Sequence, residues 1–183
     1  MRKKIWLLTA LILIFTLVFT SCSKKDVEQE ELEDVPTITD EDTDELIRET
    51  VVYYQDDAGY LVPVMRKIPW VEGIAKATLH VMMDTPEQQE DLMMMGLRPL
   101  LPADTEILGM SIHNGVAKLD LNGAAMNCKD AVAESNMVQG VVMTLAGFST
   151  IDEVQFLFDG KIVDTLQYGT KVKDPIGVSD INI

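Results

Sequence analysis

Between Met137 and Leu166 the apolar positions change period. Val138, Val141, Val142, Leu145 and Phe148 recur at three- and four-residue spacing, which places them on one face of a helix. Past Gly147 the period drops to two. Val154, Phe156 and Phe158 alternate with Glu153, Gln155 and Leu157, as in a strand with one buried face. Asp159-Gly160 then supplies a turn, because a type I′ hairpin needs positive φ at both central positions. Turning there sets Phe158 opposite Lys161 and Phe156 opposite Val163. The expected unit is a helix packed on an antiparallel hairpin, with no cysteine, histidine or arginine within it.

The same reading extends through the preceding chain. Thr50–Gln55 and Tyr60–Ile68 form strands on either side of an Asp56–Gly59 turn, and Pro63 confines the second to an edge or irregular position. Tyr53 and Tyr54 point to opposite faces, one core and one surface. Pro69-Trp70 opens a helix to about Met83, with Ile74, Ala75, Thr78, Leu79 and Met82 on its apolar side; Asp84-Thr85-Pro86 stops it. A loop from Glu87 to Leu101 follows. Thr105–Leu121 is a hairpin on Asn114-Gly115 that aligns Leu108, Met110 and Ile112 with Leu121, Leu119 and Ala117. The tail from Gly169 to Ile183, carrying Pro175 and Gly177, reads as irregular. The expected class is α+β: a mainly antiparallel sheet of hairpins with two helices packed on one face.

The N-terminal region departs from this pattern. Arg2, Lys3 and Lys4 precede fifteen nearly unbroken apolar residues, Ile5–Phe19, short of the roughly 20 a membrane span needs and suited to a signal-peptide core. Phe19-Thr20-Ser21-Cys22 resembles a bacterial lipobox, with Phe19 where that pattern prefers Leu. Cys22 is the expected lipidation site; the competing reading is an uncleaved N-terminal anchor. From Asp26 to Glu49 there are twelve acidic residues, the composition of a solvated tether that buries too little to fold. Residues 1–21 are thus the expected signal peptide, 22–49 a disordered tether and 50–183 the folded domain. The protein is expected on the extracytoplasmic face of the bacterial cell membrane.

Charge and chemistry narrow the function classes. The formal net charge is −15, and cleavage before Cys22 makes the mature chain three charges more negative. Such a chain repels nucleic acid, which is excluded as a partner. With Cys22 lipidated, Cys128 has no disulfide partner; burial as a small apolar residue competes with a catalytic thiol lacking any nearby histidine. His80 lacks a second histidine at metal spacing and reads as packed or at a rim, and His113 falls on the polar face of its hairpin. Asp40, Asp42 and Asp44 mimic the start of a calcium loop, but Glu45 stands at the glycine position and Val51 at the final glutamate. Met93-Met94-Met95 reads as adaptable core filler rather than a soft-metal site, since three in a row diverge. Arg98 is available to a carboxylate or a partner. The carboxylates Asp120, Asp130 and Asp152 are the candidates for a hydrolase, which needs two of them at roughly 5–10 Å. No catalytic, cofactor or metal residues are expected.

Several stretches in order resemble the GerMN domain family of sporulation and germination proteins and related bacterial lipoproteins. They are Tyr60-Leu61-Val62-Pro63-Val64 with Arg66, Gly96-Leu97 leading to Leu101-Pro102, Gly115 to Leu121, and Leu145…Val154…Phe156…Asp159-Gly160-Lys161. The resemblance runs from about Val51 to Gly169. It implies a fold similar to ring-building motifs and carries no catalytic residues; one copy stands here, where the best-known member has two. The expected function is that of a lipid-anchored, non-enzymatic protein-interaction module in sporulation, germination or envelope assembly. Its expected partners are the membrane through Cys22, envelope or sporulation-channel proteins, and copies of itself. The alternatives are a cell-wall hydrolase and a small-ligand-binding envelope lipoprotein.

Overall fold

A computed structural model describes residues 47–181; Cys22, the leader and the Asp40–Asp44 run lie outside them. The order is β1 (Ile47–Asp56), β2 (Leu61–Pro69), α1 (Ile74–His80), α2 (Pro86–Met94), β3 (Leu97–Arg98), β4 (Ile107–His113), β5 (Val116–Leu121), α3 (Ala131–Leu145), β6 (Glu153–Phe158) and β7 (Ile176–Gly177). The class is α+β. The strands divide into two sheets, ordered β2-β1-β3 and β4-β5-β6-β7, where a single sheet was expected. β1 begins at Ile47, three residues inside the stretch read as tether.

The first hairpin pairs β1 with β2 along their whole length, Val51 opposite Met65 and Tyr53 opposite Pro63. Thr50, Val52, Tyr54 and Ile68 turn inward and are buried, while Tyr53 on the other face is half-buried. The expected helix from Pro69 is shorter. Pro69 still belongs to β2, and Gly73 takes a left-handed φ of 77° immediately before Ile74. Thr85-Pro86 ends one helix and starts another. Thr85 Oγ1 accepts from the Gln88 N–H, and the proline occupies the first turn, where its missing donor costs nothing. The expected loop is therefore helical over α2. This helix buries only Leu92. Met93 and Met94 are 74% and 88% exposed, so the methionine run is surface and not core filler.

The Asn114-Gly115 hairpin forms as expected, with φ of 50° and 81° at its two turn residues. A bulge at its far end changes the register. Met110 pairs with Leu119 and Ile112 with Ala117, but it is Ile107, not Leu108, that lies opposite Leu121. Leu108 is the extra residue, and its side chain is half exposed.

α3 explains why so much of the chain is organised around it. Asp130 caps its start by accepting from the Ala133 N–H at 2.7 Å. Its buried residues cover most of its circumference and leave only the Val132, Ser135, Gln139 and Met143 line less covered, because it packs against both β1 and β6. Thr144 Oγ1 accepts from the Tyr53 N–H at 3.2 Å, so the helix closes the edge of β1 that β3 leaves open. Gly140 permits the closest approach: a Cβ there would lie 2.1 Å from Leu100 Cδ1. As a crossover, α3 also sets the direction of β6, which runs parallel to β5 with Phe156 beside Leu119. The expected antiparallel hairpin after β6 is corrected accordingly. Asp159-Gly160 does turn with positive φ, yet only the Phe158–Lys161 bridge forms and Val163 never reaches Phe156. Gln155, expected on a wet face, is buried and donates to Lys173 O at 3.0 Å, because the C-terminal segment covers that face.

Candidate functional site

The candidate carboxylates do not converge. Asp120 accepts from the Gly160 N–H at 2.9 Å and so sits at the C-terminal end of the β5–β6 pair. Asp152 precedes β6 beside Gly115, at the other end. Five strand residues separate those ends, or about 16 Å, well outside the window for two carboxyls sharing a glycosidic bond. Asp130 is committed to its helix cap. His80 and His113 are exposed, and Cys128 is buried with its thiol 3.8 Å from Ala125 O. Burial pushes that thiol up to about 11, with the charges of Glu134 and Asp130 adding to the effect. Among the described residues no three histidine, cysteine or acidic side chains group as metal ligands, and no helix is long and apolar enough to cross a membrane.

Two surfaces remain. The first is the outward face of the β1–β2 hairpin. Cross-strand pairs Ile47–Pro69, Val51–Met65 and Tyr53–Pro63 put their side chains on one side, with Glu49 opposite Lys67 among them. Ile47, Val51 and Met65 are exposed there, as is the neighbouring Trp70. The inner side of the same hairpin is held by Arg66. Its guanidinium lies 5.1 Å from the Tyr54 ring centroid, donates through Nε to Tyr54 Oη at 3.0 Å, and pairs with Asp91 of α2. Tyr54 Oη in turn donates to Val81 O, and burial raises its pKa. This cluster ties α2 to the inner side of the sheet. In the sequence Arg66 stands out only as part of the family pattern; an inward arginine is invisible until α2 supplies Asp91.

The second surface is a cleft of about 690 Å³ between the 96–103 loop and the start of α3. The loop is fixed from below, since the Leu100 and Leu101 N–H groups donate to Met82 O at 3.2 and 3.0 Å. Gln55, Arg98, Lys129 and Met93 line the cleft together with Leu97 and Pro102. Arg98 is the loop cation singled out in the sequence; it pairs with Asp57 at 2.6 Å at the exposed margin. Gln55 escaped notice, because its burial depends on β3 joining β1 at that one point.

Residues 51–164 match the family model named Germane, described as sporulation and spore germination. The chain belongs to this family. It is 30% identical over 130 residues to the spore germination protein GerM of Bacillus subtilis, covering 70% of this chain and 35% of that protein. The chain thus matches about a third of the length of that curated relative. The solved first GerMN domain of Bacillus subtilis GerM superposes with a TM-score of 0.65 at 29% identity, covering 73% of this chain and 99% of that one. The tandem GerMN structure of the same protein gives 0.66, again at 29% identity, with 73% of this chain and 47% of that chain covered. A Clostridium perfringens structure at 22% identity shares the fold, with a TM-score of 0.52 and coverage of 73% and 89%. The Germane match begins at Val51, within β1, and runs past the Asp159-Gly160 turn, so it takes in the cleft and most of the hairpin face.

Proposed function

We propose that this Germane protein is a lipid-anchored extracytoplasmic protein whose domain works by binding other proteins, in sporulation, germination or envelope assembly. The observation that carries the reading is the outward face of the first hairpin. It holds large apolar side chains in solvent on a fully paired two-stranded ribbon, and contiguous exposed apolar surface marks interaction sites. The relationship to a spore germination protein supports the cellular setting. Anchoring rests on the n-region, the apolar run and Cys22. Envelope or sporulation-channel proteins, or further copies of the chain, are the partners proposed.

Two experiments test it. Val51→Glu combined with Met65→Glu should shift the melting temperature by only about 2–4 °C, because both side chains are exposed, and should abolish capture of the partner in cells. Retained capture would remove this face from the account. A fatty-acid analogue fed to growing cells should label the wild type and not Cys22→Ala; labelling that persists in the variant contradicts the anchor.

A further inference from the structure

We propose that β4 is a dimerisation edge, on which two copies of this chain pair antiparallel about a two-fold axis at Ser111. The inference rests on the reading of the domain as a protein-binding module and names a second copy as the partner of one more surface. Its first support is the contrast between two open edges. β2 ends one sheet and β4 begins the other, and among the described residues no further strand pairs with either. β2 carries Pro63, Arg66, Lys67 and Pro69, the prolines and charges that blunt an exposed edge. β4 has no proline, lysine, arginine or carboxylate, in a chain whose net charge is −15. Its blunting device is the bulge at Leu108, which leaves residues 109–113 as a regular ladder. Two such strands meet without like-charge repulsion.

The turn decides which main-chain groups are free. In a two-residue type I′ hairpin the flanking residues, here His113 and Val116, exchange both bonds, and bonded pairs alternate from there. His113, Ser111 and Gly109 thus bond toward β5, and the N–H and C=O groups of Met110 and Ile112 point to the open side. One two-fold register uses both residues of each copy and avoids the bulge and the turn: Met110 against Ile112, with Ser111 against Ser111. That register matches each face to itself. Met110 and the 43% exposed Ile112 pair with the buried Leu119 and Ala117 of β5, so the dimer extends the apolar layer across both copies. On the other face His113 meets Gly109, which has no side chain, and beyond it Asp120 of the second copy. Asp120 spends one carboxylate oxygen on the Gly160 N–H, and an imidazole N–H complements the other. These matches select a second copy over a foreign strand, which would satisfy the main chain alone. The ladder is short, with roughly four backbone hydrogen bonds, and buries less than the ~1,000 Å² of a stable interface. The contact therefore forms where copies are concentrated, as lipid-anchored chains are on one membrane.

The test is disulfide trapping of the full chain in intact cells, with diamide as oxidant. Facing residues of a non-bonded antiparallel pair hold their Cα atoms about 4.5 Å apart, within disulfide reach. An offset of four residues separates them by about 13 Å along the strand, beyond that reach. Ser111→Cys should therefore give a dimer of twice the chain mass. His113→Cys, also exposed on that face, should give none above the wild-type background from Cys22 and the buried Cys128. Ile112→Lys added to Ser111→Cys should cut the dimer about tenfold, since an edge lysine sets like charges against each other. Should that variant fail to fold, the comparison of positions 111 and 113 decides alone. No dimer from Ser111→Cys, equal dimer from both positions, an undiminished dimer in the folded lysine variant, or trapping onto a different protein would each overturn the proposal. The trapped product is chain with chain, so it adds no second protein at position 111. Partner capture through Met65 does not depend on β4, and capture retained without trapping rejects the β4 pairing alone.

Discussion

Glu134 is fully buried and ionisable, and its partners explain why that is tolerated. Its two carboxylate oxygens accept from the Tyr168 and Thr170 N–H groups at 2.8 and 3.0 Å, which pins the loop after β6 onto the first turn of α3. Charge-assisted bonds to backbone contribute about 1.5–3 kcal/mol each, and removing the acceptor strands two donors. Glu134→Ala should therefore lower stability by about 3 kcal/mol in urea unfolding; a loss below about 1 kcal/mol would show that the loop holds without it. In the sequence this residue reads as an ordinary first-turn acid, since nothing local announces that residues 168–170 return to it. Cys128 was legible as a buried thiol, and its titration has a sign that can be checked. Its pKa is raised from 9.0 to about 11 by burial first and neighbouring acids second, so the folded state holds the proton longer. Its contribution is complete below about pH 9 and drains away as pH rises toward 11. Melting temperature should fall over that window and fall less steeply in Cys128→Ala, with Tyr54 supplying a residual slope of the same sign.

At the level of elements, pattern and turn chemistry located β1, β2, β4, β5, α3 and β6, because each carries its own period. What the pattern missed was set by contacts between elements. The bulge at Leu108 is one case: pure alternation assigns Leu108 to the core, whereas Ile107 is 8% exposed and Leu108 50%. Ile107→Ser should cost more than about 2 kcal/mol, and Leu108→Ser less than about 1 kcal/mol. The reverse order would mean that the ladder continues without a bulge. The parallel pairing of β6 is another case. Alternation in β6 reports a buried face but not which neighbour lies alongside, and the α3 crossover decides that. α2 was missed because only Leu92 is buried, which leaves no apolar stripe to read.

Residues 47–181 place two surfaces on one folded support. The Arg66–Tyr54–Asp91 cluster fixes α2 and its methionines to the hairpin, and Gly140 brings the 96–103 loop against α3. Of the residues weighed from sequence for a site, the structure keeps Arg98 at the cleft and disperses Asp120, Asp130 and Asp152. The surfaces themselves could not be read in advance, because exposure of Met65 and burial of Gln55 depend on which strands meet. The most direct measurement is photo-crosslinking in living cells, with a photoreactive residue at Met65 and, as control, at the exposed Ser111 of the other sheet. A discrete adduct with an envelope protein from position 65, absent from position 111, is the expected result. No adduct from position 65, with the purified full chain releasing soluble fragments from peptidoglycan and losing that activity on Asp120→Asn or Asp152→Asn, would contradict the account.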